Sequence, residues 1–211
     1  MSTEEALRFS VPVGLSVCEP LVPLVRTWKV YTPLIPPPQN PMELEIRRNT
    51  FWLAYAANRL HAATNDFAVT LDDEDITQVL PCVYTDIVQA VSVHLSFYLQ
   101  GTHFRQKTIP SEQRQRLRTP NVLTTHPEGQ TDSFVLYIKA TVLLSKVKTF
   151  NVRYKARFPK TSDPRDDPAF KALEILISTF QASFPLQFRD PISTGARPDS
   201  HLYLAHLIPY M

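Results

Sequence analysis

Apolar positions along the chain recur at helical rather than strand spacing. The clearest stretch is 131–158, TDSFVLYIKATVLLSKVKTFNVRYKARF, closed by Pro159. There Leu136, Ala140, Leu143, Val147, Phe150 and Tyr154 form one continuous stripe, and Phe134, Val135, Ile138 and Val142 add a second face in the first half. This predicts a helix buried at its N-terminal half and wet at its basic end, with Asp132 or Ser133 as cap. Residues 42–65 predict a second helix. At 100° per residue Leu44, Phe51, Tyr55 and Ala62 fall on one line, and Ile46, Leu53, Ala57 and Leu60 fall on the opposite line, which predicts burial on two sides. Residues 167–184 open on Asp167-Pro168, a cap followed by proline in the first turn, and present Leu173, Leu176, Ile177 and Phe180. A last helix begins at 199 and a further one is predicted within 83–104, with a helix end at 4–9.

Between these segments the pattern breaks. Residues 33–41, PLIPPPQNP, read as a proline-rich loop. Residues 105–130 are polar and basic, with Arg105, Lys107, Arg114, Arg116 and Arg118, and read as a surface loop with a short helix near 111–118. No strand-like alternation of useful length appears, so the fold class is all-α, with about five to six helices. The chain ends within an apolar stretch, from which truncation at that end is expected.

Composition narrows the picture. The 211 residues, 44% apolar and 20% charged, suffice for one domain with a sizeable core. Four glycines against 19 prolines disfavour a glycine-built phosphate site and fit helices with sharp stops. The 22 basic and 20 acidic residues give a net charge of +2, too small to mark a nucleic-acid surface. The first residues lack a cationic stretch followed by an apolar run, so no secretory signal is read. No apolar run reaches the ~20 residues of a membrane span. Cys18 and Cys82 are read as thiols in a reducing compartment.

Candidate chemistry is sparse. The six histidines and two cysteines do not cluster as metal ligands. No nucleophile elbow, phosphate loop, triad or carboxylate pair can be assembled, so no enzyme is expected. The acidic run 72–75 admits a cation site, acid/base carboxylates or a solvated capped turn. It could also pair with the preceding helix, through Arg59 to Asp72 or Asp75. Lys139, Lys146 and Arg153 recur every seven residues, a spacing that suits phosphates, an acidic partner or a solvated helix edge.

One block carries a specific resemblance. Residues 45–81 read EIRRNTFWLAYAANRLHAATNDFAVTLDDEDITQVLP. An acidic residue precedes an Arg-Arg pair, a threonine, an aromatic-Trp pair and an aliphatic helix with an arginine, after which an acidic Asp-Ile segment leads to Leu-Pro. Glu45, Arg47, Arg48, Thr50, Phe51, Trp52, Arg59, Leu71, Asp72, Asp75, Ile76, Leu80 and Pro81 supply this order. The pattern resembles the middle homology region of fungal binuclear zinc-cluster transcription factors, strongly over 43–81 and more weakly across about two-thirds of the chain. Asn58 stands where the family has an aspartate, and Asp66 where it has a glycine.

The resemblance implies a nuclear protein whose helical region tunes transcription by RNA polymerase II. DNA binding would be supplied by an N-terminal six-cysteine zinc cluster that this sequence lacks, so zinc is expected only there and the domain is expected to be incomplete at its start as well as its end. Homodimerisation and transcriptional coregulators are implied in the same way. The alternative is a stand-alone helical interaction module that has lost DNA binding.

Overall fold

A computed structural model of the chain describes residues 38–65, 71–83, 113–158, 163–192 and 199–210. The predicted helices at 4–9 and 83–104 and most of the proline-rich loop 33–41 lie outside the described residues. The chain is all-α: the described residues form four α-helices, α1 (Pro41–Asn65), α2 (Ser133–Arg157), α3 (Pro168–Ala182) and α4 (Ser200–Leu207), with short 3-10 turns between and after them. Among these residues the only extended pairing is an isolated antiparallel bridge between Val79 and Arg116.

Each helix begins where the sequence offers an acceptor. Asn40 accepts from Glu43 N at 2.8 Å, and Pro41 fills the first helical position, where no amide partner is needed. Asp132, not Ser133, caps α2, accepting from Val135 N at 2.9 Å. Asp167 caps α3 through Ala169 N at 2.7 Å, and Asp199 caps α4 through His201 N at 3.0 Å. Asp132→Ala should lower stability by about 1 kcal/mol, as loss of a buried cap does. Urea unfolding measures this, and an unchanged midpoint would show that the Val135 amide finds another acceptor.

The described residues fall into two compact units. The first comprises 38–55, 71–83 and 113–119; the second comprises 56–65 and the described residues from 120 onward. In the first unit one face of α1 is buried, with Phe51, Trp52 and Tyr55 fully enclosed. The predicted burial on two sides does not hold there, since Ile46 and Leu53 are both more than half exposed. Periodicity reports apolar positions, but the number of partners depends on what packs alongside, and here the buried side also takes Glu45 and Arg48.

In the second unit α2 is the central element. Every residue from Val135 to Ser145 is buried, whereas 151–153 and 155–158 are exposed, as the sequence predicts. α4 and α3 pack on it. α3 is a thin cover: Phe180 is buried, but Leu173, Leu176 and Ile177 are only partly covered and Ile175 is 65% exposed.

Two sharp turns shape the 120–132 segment. Asn121 takes a left-handed φ of 55°, which asparagine tolerates, and its carbonyl accepts from both Thr124 N and Thr125 N. Gly129 at φ 71° closes the turn in which Gln130 N reaches Pro127 O. The described part of the 105–130 stretch, from 113 on, is not the wholly superficial loop expected: Arg114, Gln115, Val122 and Leu123 are buried, and 114–118 do not form the short helix expected near 111–118. The carbonyl of Gln115 accepts from Leu80 N at 2.9 Å beside the Val79–Arg116 bridge, an extended arrangement incompatible with a helix there.

Candidate functional site

Two polar clusters are buried, one in each unit. The first is built on α1. Three residues separate Glu45 from Arg48, so both side chains leave the same face of the helix. The Glu45 carboxylate accepts from Arg48 Nη1 at 2.5 Å and, on the same oxygen, from Arg114 Nη1 at 2.6 Å. Its other oxygen accepts from Cys82 N at 3.3 Å. Arg48 Nε donates to Gln78 Oε1 at 3.3 Å, and Gln78 Oε1 also accepts from Val79 N. One turn along, Trp52 Nε1 donates to Val79 O at 2.7 Å. Burial opposes ionisation of Glu45, but the Arg114 and Arg48 guanidiniums outweigh it and hold the carboxyl below its usual range.

This cluster ties α1 to the segment 76–82, where Ile76, Leu80, Pro81 and Cys82 are buried. Phe51 and Tyr55 set their ring edges against Trp52 at 5.1 and 5.3 Å. Tyr55 Oη donates to Asp73 Oδ1 at 2.6 Å and so anchors the acidic turn. The structure therefore ties Glu45, Arg48 and Trp52, with Phe51 packed on Trp52, in one knot to the segment in which Ile76, Leu80 and Pro81 are buried.

The other signature residues serve elsewhere. Arg47 pairs with Glu43 on the helix surface, and the exposed Thr50 donates its hydroxyl to Ile46 O at 2.8 Å. Asp72 caps the 3-10 turn through Glu74 N at 3.0 Å. Asp75 is exposed, and Arg59 is a buried residue of the second unit. Arg114, Gln78 and the Tyr55–Asp73 contact had no sequence signal, because each depends on a partner distant along the chain.

The second cluster centres on Lys139, which the seven-residue spacing had aligned with Lys146 and Arg153. Lys146 and Arg153 are exposed, but Lys139 is fully buried. It sits inside the stretch of α2 that is covered on every side, and its stem is packed like a core residue. The Nζ donates to Thr125 O at 2.8 Å and lies 3.3 Å from His126 Nδ1. On the far side of the ring, His126 Nε2 lies 2.9 Å from Ser183 Oγ, and Ser183 Oγ lies 2.7 Å from Phe180 O. The Phe180 and Phe184 rings stand edge-on to the imidazole.

Two proton orders fit these contacts. With the Ser183 hydroxyl on Phe180 O, His126 Nε2–H donates to Ser183 Oγ and Nδ1 accepts from Lys139; with Lys139 as a neutral amine, the Ser183 hydroxyl donates to Nε2 and Nδ1–H donates to Nζ. Burial, and secondarily the Lys139 charge, lower the His126 pKa to about 4, and burial lowers Lys139 to about 7. The cluster joins α2, the 120–132 segment and the end of α3 through hydrogen bonds between titratable groups.

Among the described residues no three His, Cys, Asp or Glu side chains converge as metal ligands, and no helix is long and apolar enough to cross a membrane. No protein-family model, curated protein or solved structure matches this chain.

Proposed function

We propose that this chain is a helical regulatory domain of the kind found in the middle of fungal zinc-cluster transcription factors, acting on DNA binding and activation supplied by other segments. One observation carries the reading. The signature is split between a helix and a segment some thirty residues later, and its buried helix members Glu45, Arg48 and Trp52 bond to Gln78, Val79 and Cys82, the residues that flank the buried Leu80 and Pro81. A pattern met by chance has no reason to bring its two halves together. The knot makes rigid the corner between α1 and the acidic turn, which suits a domain that holds other segments in place.

The test is a fusion of the chain between an unrelated zinc-cluster DNA-binding module and an activation segment, read on a reporter gene. The expected result is output lowered about fivefold or more, the effect of a coupling free energy near ~1 kcal/mol. Unchanged output from a nuclear, stably expressed fusion would overturn the regulatory reading. Sequencing the complete transcript checks the DNA-binding half of the proposal: an in-frame six-cysteine cluster is expected upstream, and transcripts beginning at Met1 would remove it.

A further inference from the structure

In the second unit, the exposed half of α2 and the partner face of α3 enclose an open groove of about 270 Å3. Its walls are Val147 and Phe150 from α2 and Phe170, Leu173 and Ile177 from α3, with Asn151, Ser178 and Gln181 at the rim. The groove exists because α3 is a thin cover: its apolar residues are only partly buried, so the two helices meet without filling the space between them. From the groove an aromatic ladder continues along α2. Phe150 contacts Phe170 at 6.0 Å and Tyr154 at 5.5 Å, and Tyr154 contacts Phe158, itself 49% exposed, at 5.1 Å.

The charge on the α2 side of this apolar track is one-sided, and Glu174 stands on the α3 side. From Ser133 to Phe158 the chain carries no carboxylate, and its last three turns carry Lys146, Lys148, Arg153, Lys155 and Arg157. Lys148 donates to the carbonyl of Ala62, but Lys146, Arg153, Lys155 and Arg157 are exposed. At 100° per residue Lys146, Arg153 and Arg157 lie within about 40° of one another, on the flank beyond Phe150, with Lys155 on the opposite flank. Cations therefore border the groove-facing stripe on both sides.

We infer that this groove docks an acidic amphipathic helix of a partner protein, its apolar side chains in the groove and along the aromatic ladder, its carboxylates on the flanking cations of α2. Length fits as well as charge. The track from Val147 to Phe158 spans roughly 17 Å, about three turns of a docked helix with anchors at i, i+3 or i+4 and i+7. The cavity admits one or two large apolar side chains, which matches such anchors. A nucleic-acid strand fits less well. The floor is aliphatic and aromatic, and it receives apolar side chains rather than a charged backbone. The inference does not rest on the regulatory reading above, since it uses only residues outside the signature.

The test is fluorescence anisotropy with the full chain and a labelled synthetic peptide of helical Leu/Phe spacing flanked by Glu and Asp. Saturable micromolar binding is expected, weakened about tenfold or more in the exposed double variant Arg153→Glu/Arg157→Glu. Leu173→Asp, with its fold checked by circular dichroism, should weaken binding by a similar factor. A peptide of the same composition with its apolar positions scrambled should bind about tenfold more weakly. Absence of binding at millimolar peptide would overturn the inference. So would unchanged affinity in the charge-reversed variant, equal binding of the scrambled peptide, or tighter binding of a single-stranded oligonucleotide that displaces the peptide.

Discussion

Replacing Glu45 by alanine is expected to destabilise the chain by about 3–5 kcal/mol, the cost of stripping a buried charge cluster of its counter-ion. The magnitude follows from the geometry. One carboxylate serves two guanidiniums and the Cys82 amide, all of them buried, so its loss leaves two cations facing each other in a desolvated corner. The pair Glu45→Ala/Arg114→Met should recover part of the loss, because it removes one of the stranded charges. Urea unfolding of the two single variants and the double variant reads the coupling; strictly additive losses would show that the cluster does not act as a unit. The pH dependence has a fixed sign. The Glu45 carboxyl is held below its ordinary 4.5, so its contribution is complete above that pH and is lost as pH falls through the folded value. Glu45→Ala should flatten the acid limb of the stability curve.

The second large effect belongs to Lys139. In the unfolded chain the amine keeps its proton up to about 10.5, whereas in the fold it releases it near 7. Between those values unfolding takes up a proton, so stability rises with pH; below about 7 the penalty for burying the charged amine is complete. A gap of this size corresponds to roughly 5 kcal/mol across the window, as an order of magnitude. His126 acts in the same direction at lower pH. Its folded value of about 4 lies below the ordinary 6.5, so stability is lost as pH falls from 6.5 through 4. Denaturant titrations at intervals from pH 6 upward should show the wild-type midpoint climbing and the midpoint of Lys139→Met nearly level. Parallel slopes in the two proteins would mean that Lys139 is charged inside the fold.

How far these features were legible in the sequence depended on whether their cause was local. Helix positions were legible because cap and period lie within a few residues of each other: Asp167-Pro168 opens α3, and Pro159 follows the end of α2. The depth gradient along α2 was legible for the same reason. Lys139 was not, because its spacing to Lys146 and Arg153 suggested a shared solvated edge. The contrary signal was its position between Ile138 and Ala140, within a block that offers no polar side for it to face. Arg114 was less accessible still. It lies in a polar basic segment and is buried only because Glu45, 69 residues earlier, needs a second cation. The signature pattern contains Glu45, Arg48 and Trp52 of the knot but not their partners Gln78, Val79, Cys82 and Arg114, and it does not separate the buried members from Arg47, Thr50 and Asp75, which lie at the surface or partly exposed.

The gradient along α2 also sets how quickly its backbone opens. The hydrogen bonds of the first turns can break only when the second unit comes apart, because Val135–Ser145 are enclosed on all sides. Those of the last two turns can fray at little cost, since the side chains around them are already in water. A single helix is thus expected to join amides that exchange with solvent only when the second unit unfolds to amides that exchange through local fluctuation. The slow amides lie beside Lys139, and the fast ones follow the groove wall that Val147 and Phe150 form.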